Sequence, residues 1–289
     1  MEFTLSHNHL TVKVNSKGAE LSSILFNGNE YLWQANPDVW PRHAPVLFPI
    51  VGKLVNNTFR YNGHSYSLPQ HGFARDMEFE CLNHSNTQVS LVLRSTDQTK
   101  VNYPFDFELL LSYTIRDNAI ECGYLVKNAS THSDMYFSIG AHPGFKIPLQ
   151  GSETWNDYQI VFEKDKRYYI TKLSDGLLSD IKIPLELNNA RLDVTNNLFD
   201  NDALVFENAQ LNQVAIISSK TNKGVEVQCN NWPYFGIWSK KGSNNFICLE
   251  PWQGIADFTK HNGELKSKKG IIQLGPKEEF NCSYSICFF

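Results

Sequence analysis

Apolar and polar side chains alternate along much of this 289-residue sequence, and this period of two constrains the fold more than any other feature. The longest run covers residues 107–115, and the alternation resumes over residues 120–126 after a turn at Asp117-Asn118. Successive side chains of a β-strand point to opposite faces of the sheet, so such a run buries one face and leaves the other polar. The two runs therefore predict a β-hairpin.

Shorter alternating runs recur along the chain and are separated by turn signals such as Asn27-Gly28, Asn62-Gly63 and Asn262-Gly263. They predict further strands at residues 10–14, 89–93, 158–162, 214–218, 225–229, 235–239, 246–250 and 280–288. Sustained helical spacing is absent, and we expect only a short helical turn near residues 201–204. Many short strands joined by turns are typical of a large antiparallel sandwich or barrel. No change in composition marks a boundary, so residues 1–289 are predicted to form one all-β domain.

Composition and charge argue against several classes of function. The net charge is −4 and the isoelectric point is about 6.1, without the basic face that a nucleic-acid-binding protein needs. The N-terminus lacks a basic segment followed by an apolar one, and no run of about 18 apolar residues occurs, so we expect neither a signal peptide nor a membrane span. The six cysteines form no CxxC pair. We therefore expect reduced, structural thiols in a cytoplasmic protein.

Three segments interrupt the alternation with chemically unusual residues. The first, RHAPVLFPIVGK at residues 42–53, leads to QHGFAR at residues 70–75. The second is FSIGAHPGF at residues 137–145, and the third is FICLEPWQGIAD at residues 246–257. Each segment carries at least one side chain that can take up or release a proton.

Glu250 and His142 are the strongest candidates for acid–base chemistry. Glu250 follows Phe246 and Cys248 on one face of a predicted strand, so a carboxylate ends an apolar strand, where desolvation would raise its pKa and make it a better base. His142 lies between Gly and Pro residues that fix the backbone and leave room beside an imidazole, which titrates near neutral pH. His71 is a similar candidate. Alternatively, Glu250 faces water at the end of its strand. The two histidines could likewise be buried residues that only form structural hydrogen bonds.

Motifs of other catalytic classes are missing. His71 and His142 lie far apart, and no HxH or HExxH spacing is present, so metal catalysis is not expected. The chain has no GxSxG elbow of a serine hydrolase and no Walker or dinucleotide-binding glycine motif. The sequence therefore offers no motif for metal, serine-hydrolase or nucleotide chemistry.

Taken in order, the motifs PxLFPIVG, HGFAR, FSIGAHPGF and CLEPWxGIAD resemble those of the aldose 1-epimerase (galactose mutarotase) superfamily, in particular its bacterial branch. The resemblance extends from about Trp33 to the C-terminus. It implies a large antiparallel β-supersandwich and an isomerase that interconverts the anomers of a sugar without a cofactor or metal. We expect a small-molecule sugar as the partner, neither nucleic acid nor membrane, and a monomer or homodimer.

The resemblance also assigns roles to individual residues. His142 in GAHPGF matches the general acid of the family, Glu250 in CLEPW matches the general base, and His71 in QHGFAR matches a second active-site histidine. Asp202 is the best match to a sugar-binding aspartate, with Asp200 two residues away as the other candidate. In the implied reaction Glu250 removes the proton of the C1 hydroxyl while His142 protonates the ring oxygen, and the open aldehyde rotates and recloses.

The resemblance leaves the phosphorylation state of the sugar open. In the related hexose-6-phosphate mutarotase branch, arginines near the PxxFP and HGFAR motifs bind phosphate; Arg75 matches one directly, and Arg42 matches with a spacing one residue shorter. A guanidinium suits phosphate, sugar hydroxyls or a structural carboxylate alike. Lys53 is a further candidate for substrate binding, and Trp252 and Phe73 are candidates either for apolar contact with the sugar ring or for core packing. The alternatives are a hexose-6-phosphate mutarotase and a non-catalytic carbohydrate-binding protein on the same fold.

Overall fold

The structure, a computed structural model, describes residues 1–289 and consists almost entirely of short β-strands with one six-residue helix, α1 (Asp97–Asn102). The strands are β1 (Glu2–His7), β2 (Leu10–Asn15), β3 (Glu20–Phe26), β4 (Asn29–Glu30), β5 (Thr58–Tyr61), β6 (His64–Ser67), β7 (Glu80–His84), β8 (Gln88–Arg94), β9 (Phe107–Arg116), β10 (Ala119–Asn128), β11 (Met135–Phe137), β12 (Gly144–Lys146), β13 (Tyr158–Phe162), β14 (Tyr168–Ser174), β15 (Leu177–Leu185), β16 (Arg191–Asp193), β17 (Leu204–Glu207), β18 (Gln213–Ser218), β19 (Gly224–Gln228), β20 (Tyr234–Trp238), β21 (Phe246–Trp252), β22 (Ile272–Leu274) and β23 (Glu279–Phe288). Single 3-10 turns lie at Val55–Asn57, Ala74–Asp76, Trp155–Asp157 and Leu265–Ser267. The helical content includes no segment long and apolar enough to span a membrane.

Two large antiparallel sheets and one smaller sheet form the body of the molecule. The largest has nine strands in the order β16-β13-β18-β19-β23-β10-β9-β8-β7, the second has six in the order β12-β21-β20-β17-β14-β15, and the third has β1 to β4 in sequence. Two-stranded ladders pair β5 with β6 and β11 with β22. This architecture confirms the predicted all-β fold with antiparallel sheets.

The hairpin predicted from the longest alternating run is confirmed in register. Strand β9 pairs with β10 so that Arg116 lies opposite Ala119, which leaves the two-residue turn Asp117-Asn118 between them. Asp117 has a φ of 52°, as tight hairpin turns require. Along β9 the burial of side chains alternates residue by residue from Phe107 to Ile115, and Leu110 is the one apolar side chain on the less buried face.

The helical predictions were wrong in two places. The segment near residues 201–204 is not helical: Asp202 adopts a φ of 75°, incompatible with a right-handed helix, and Leu204 already belongs to β17. The helix α1 was not predicted. It is short because only a reciprocal cap between Thr96 and Thr99 starts it, without an amphipathic repeat that would extend it.

One hydrophobic core connects the sheets. It contains 65 buried residues, from Leu5 in β1 to Phe288 in β23, and includes members of the nine-, six- and four-stranded sheets. A continuous core is what a single folding unit needs. The interpretation of residues 1–289 as one domain stays a prediction, which this core supports.

Candidate active site

His142 lies on the rigid connection between β11 and β12. Gly140 forms bridges to both Leu47 and Trp252, and the amide of Ala141 donates a hydrogen bond to the carbonyl of Pro251. A Cβ on Gly140 would lie 2.7 Å from the Trp252 ring, so this close approach requires glycine. The backbone on the N-terminal side of His142 is therefore fixed against both the first and the third of the unusual segments.

Aromatic rings surround the imidazole of His142. Trp40 stacks on it with a centroid distance of 5.0 Å and an interplanar angle of 30°. Trp238 and His71 approach edge-on, at 5.6 and 5.5 Å. These contacts fix the plane of the ring, and they leave Nδ1 of His142 buried without a hydrogen-bond partner.

Glu250 lies inside β21 rather than at its end, because the strand continues through Pro251 to Trp252. Every residue of β21 is buried, and the side chain of Glu250 is only 2% exposed. Its Oε2 lies 3.2 Å from Nε2 of His142. Two motifs separated by more than a hundred residues thus place a carboxyl group and an imidazole in direct contact.

Burial shifts the pKa values of Glu250 and His142 in opposite directions. Desolvation raises the pKa of Glu250 well above its usual value, and the nearby Asp202 carboxylate adds to the rise. Desolvation lowers the pKa of His142 to about 3, with smaller contributions from the positive charges of Arg75 and Arg42. Both shifts favour the neutral form of each group.

His71 is held in one tautomer by the backbone. Its Nδ1 accepts a hydrogen bond from the amide of Gly52 at 3.1 Å, and its own amide donates to the Gly52 carbonyl at 2.8 Å. Burial, together with His142, Arg75 and Arg42, lowers the pKa of His71 well below its usual value, so the ring is neutral. Because Nδ1 accepts, the proton lies on Nε2 and can be donated.

A cavity of about 410 Å³ opens onto this group. Its volume is in the range of small-molecule sites. Its lining combines few polar side chains with an apolar wall. The polar ones are Gln70, His71, Arg75, His142, Asp202 and Glu250, and the apolar ones include Trp40, Trp238, Trp252, Leu173, Leu178 and Ile255.

The structure places two further candidates, Asp202 and Arg75, in the lining of the cavity. Asp202 lines it, whereas Asp200 does not and lies 3.6 Å from the Lys241 ammonium. Arg75 also lines it and donates from Nη2 to the carbonyl of Gln70 at 2.7 Å. Burial and the neighbouring Arg42 lower the pKa of Arg75 to about 10, so the guanidinium stays charged at neutral pH.

Three candidates lie outside the lining. Arg42 forms an ion pair with Asp76 at 2.9 Å, and the Lys53 ammonium donates to the carbonyl of Asp175 at 3.0 Å. Phe73 packs against core aromatic rings instead of the cavity. The motifs brought these residues close to the site, but their side chains point to other partners.

Sequence reasoning missed Trp40, Trp238 and Gln70 as lining residues. Trp40 lies two residues before the first unusual segment and Gln70 begins its continuation, so proximity to a motif was the only signal. Trp238 is the penultimate residue of a predicted strand and carried no signal at all.

Cys248 is a further group beside the pair. Together with His142 and Glu250 it places one potential metal-ligand atom per residue within 4.8 Å of the others. Cys248 is fully buried, and burial beside Glu250 raises the pKa of its thiol well above the usual value. All six cysteines of the chain are free thiols.

Comparison with known proteins agrees with this geometry. A profile of the family Aldose 1-epimerase matches residues 1–273, which include every candidate residue named above. The chain is 32% identical over 295 residues to the chromosomal protein LacX of Lactococcus lactis subsp. lactis, with 99% of both chains covered. A solved galactose mutarotase related enzyme from Lactobacillus acidophilus is 35% identical with a TM-score of 0.95, covering 100% of this chain and 97% of that one. A galactose mutarotase-like protein from Lactobacillus casei, 24% identical with full coverage of both chains and a TM-score of 0.91, shares the fold. The sequence match across nearly the whole chain shows that this protein belongs to the aldose 1-epimerase family.

Proposed function

We propose that the protein is an aldose mutarotase that interconverts the α and β anomers of a sugar. The observation that carries this proposal is the 3.2 Å contact between His142 and Glu250 at a cavity of about 410 Å³. Ring opening needs one group that accepts the C1 hydroxyl proton and another that gives a proton to the ring oxygen. A carboxyl–imidazole pair that shares one proton supplies both.

The proposed reaction uses the two groups in opposite roles. Before the reaction, the carboxyl proton of Glu250 passes to Nε2 of His142 across their 3.2 Å contact, so that His142 becomes the acid and Glu250 the carboxylate base. Glu250 takes the C1 hydroxyl proton while His142 protonates the ring oxygen, and the bond between C1 and the ring oxygen breaks to give the open aldehyde. After rotation about C1–C2 the transfers reverse and the ring closes as the other anomer. Each positioned group contributes roughly 10²–10⁴-fold, and the chemistry requires no cofactor.

Other lining residues hold the sugar in this proposal. The neutral His71 donates from Nε2 to a sugar oxygen, and the Asp202 carboxylate accepts from sugar hydroxyls. Trp252, which is 7% exposed, offers an apolar face to the ring. Arg75 binds either hydroxyls or an anionic substituent. We assign no direct sugar contact to Lys53, because its ammonium donates to a backbone carbonyl outside the cavity.

A hexose 6-phosphate is the second candidate substrate, and one observation favours it. Arg75 also lines a neighbouring cavity of about 450 Å³, which contains the side chains of Lys17, Arg42, Glu20 and Asp76. A sugar bound at the catalytic pair could place a phosphate at Arg75, on the boundary between the two cavities. Arg42 would then exchange its ion pair with Asp76 for the phosphate.

The test is anomer interconversion of freshly dissolved α-glucose and α-galactose, free and 6-phosphorylated, followed by polarimetry or NMR exchange. We expect acceleration by the wild type and a loss of roughly 10²–10⁴-fold in Glu250→Gln. The exposed Glu186→Gln is the matched control and should retain full activity. Full activity in folded Glu250→Gln would refute the base assignment. Tight sugar binding without acceleration by the wild type would instead indicate a non-catalytic carbohydrate-binding protein.

A further inference from the structure

Cys248 is not used in the proposed reaction, yet it lies directly beside the catalytic pair. It precedes Glu250 by two residues on β21, so both side chains lie on the same face of the strand. Across the sheet it pairs with Gly144, two residues after His142. Strand pairing therefore brings a thiol, a carboxyl group and an imidazole together from two segments.

The distances between these groups match a metal-binding set. One ligand atom of each residue lies within 4.8 Å of the other two, and Nε2 of His142 is 3.2 Å from Oε2 of Glu250. Zinc binds N, O and S ligands at about 2.0–2.3 Å, so ligand atoms of a tetrahedral site lie roughly 3.5 Å apart. The contact between His142 and Glu250 already has this spacing, and the distances to the Cys248 thiol exceed it by at most about 1.3 Å.

The polar atoms of the cluster lack alternative partners. Nδ1 of His142 is buried without a hydrogen-bond partner, and Oε2 of Glu250 has no neighbouring polar group bonded to it besides Nε2 of His142 at 3.2 Å. The side chains of His142 and Glu250 are 9% and 2% exposed, and both line the cavity, so a cation can reach them from solvent. Buried polar atoms without partners are rare in folded proteins and indicate a ligand or a functional role.

The charge of the three ligands also fits a divalent cation. A thiolate, a carboxylate and a neutral imidazole together carry two negative charges, which a divalent cation neutralises in these aromatic and apolar surroundings. The thiol and the carboxyl group release their protons when the metal binds. Mixed sulfur and nitrogen ligands favour zinc and other soft cations over magnesium or calcium.

We propose that His142, Cys248 and Glu250 form an inhibitory site for a soft divalent cation such as Zn²⁺. The cation and the sugar exclude each other, because the metal occupies both groups that exchange protons with the sugar. The inhibition rests on the proposed mutarotase function. The binding of the metal does not, and it is measured separately.

Binding is tested first with Cd²⁺ alone, by the ultraviolet charge-transfer band of a cadmium thiolate and by titration calorimetry. We expect one tight site in the wild type. In Cys248→Ala the charge-transfer band of this site should disappear and the affinity should fall by more than about tenfold, since even loss of a ligand's supporting partner commonly costs that much. Cys229→Ala, which removes another buried free thiol, and Cys81→Ala, which removes the exposed one, should leave the site intact. An unchanged band and affinity in Cys248→Ala would overturn the proposal, and Cys248→Ser provides a second thiol-free variant if the alanine variant does not fold.

Inhibition is tested next, with Zn²⁺ and the sugar that the wild type interconverts. We expect inhibition competitive with the sugar and reversed by EDTA. Cys248→Ala should keep its basal activity but need more than about tenfold more Zn²⁺ for the same inhibition. Equal inhibition of the wild type and this variant, or inhibition that excess sugar does not relieve, would refute the site. If no sugar is interconverted, the cadmium titration still decides whether the site exists.

Discussion

Trp40 shows how a residue outside the reacting pair controls its geometry. It stacks on the imidazole of His142, and without it one face of that ring has no support. We expect Trp40→Ala to lower kcat by roughly 10²-fold, the effect of misplacing a catalytic group by about 1 Å. Trp40→Phe should recover part of the loss. Trp155→Phe is the matched control, because Trp155 packs against Phe199, contacts neither Trp40 nor His142, and lies outside the cavity. Steady-state kinetics with a folded protein provide the measurement, and a change in KM with unaltered kcat would contradict the positioning role.

The two neighbouring aspartates allow a second test at this scale. Asp202 lines the cavity and Asp200 lies near the Lys241 ammonium. A hydrogen bond to a charged group contributes about 1.5–3 kcal/mol, so we expect Asp202→Asn to raise KM by roughly 10- to 100-fold. Asp200→Asn should leave KM unchanged. The reverse result would exchange their assignments.

Some residues of the site could be predicted from sequence, and the reason is local. His71, His142 and Glu250 each lie in a motif with small or rigid neighbours, and the structure brings all three to one cavity. Trp40 and Trp238 could not be found this way, because their role arises from contact between distant segments. The side chains of Arg42 and Lys53 were predicted to face the substrate, but a motif does not tell whether a long side chain turns to a carboxylate or carbonyl nearby.

At the scale of secondary-structure elements, a buried ion pair connects Asp257, at the end of the third unusual segment, to Lys268, which follows the 3-10 turn Leu265–Ser267. The Lys268 ammonium lies 3.1 Å from Oδ1 of Asp257, and both side chains are 1% exposed. Asp257 also accepts a hydrogen bond from the amide of Val55 and donates its own amide to the carbonyl of Lys53. This pair therefore holds the wall that contains Gly52, whose φ of 74° and close packing on Ala256 exclude a side chain.

We expect the loss of one partner of this pair to lower the free energy of unfolding more than the loss of both partners. Lys268→Met removes the ammonium from the buried Asp257 carboxylate and leaves only the imidazole of His261, 3.3 Å from Oδ2, as a neighbouring cationic group. Loss of one partner of a buried pair lowers the free energy of unfolding by about 3–5 kcal/mol. Asp257→Asn/Lys268→Met removes both charges and keeps an acceptor for the Val55 amide, so it should be the more stable variant. Urea denaturation monitored by tryptophan fluorescence measures both. Equal losses in the single and double variants would show that packing, and not the unpaired charge, dominates.

Alternation predicted which segments are strands but not which strands are neighbours. The β9–β10 hairpin follows from its two-residue turn, whereas β10 also pairs with β23, which lies more than 150 residues further along the chain. The alternating pattern determines which face of a strand is buried. It does not determine which other strand lies beside it in the sheet. The order of the nine-stranded sheet therefore depends on tertiary packing, for which the sequence pattern carries no signal.

For the whole molecule, acid stability depends on specific ionised groups. Hydrogen bonds from Lys220 and Thr154 lower the pKa of Asp157 to about 2 from its usual 3.8. The folded state therefore binds this proton less readily than the unfolded chain. The stability that the ionised Asp157 contributes is complete above about pH 4 and is lost as the pH falls towards 2.

We expect Asp157→Asn to be less stable than the wild type at pH 6, with the difference shrinking at pH 2. Chemical denaturation at both pH values measures this, and Asp180→Asn, at an exposed ion pair, should show no such dependence. A constant difference across the range would contradict the assignment.

Arg75 lines two neighbouring cavities, and its single guanidinium cannot direct all of its hydrogen bonds to ligands in both at once. A ligand that draws this charge towards the catalytic pair removes it from Asp76 and Arg42, and a ligand in the outer cavity does the opposite. Two ligands that both bind the Arg75 guanidinium would therefore change each other's affinity by a coupling free energy that is the same in both directions. Through this one side chain, binding in the two cavities would be thermodynamically linked.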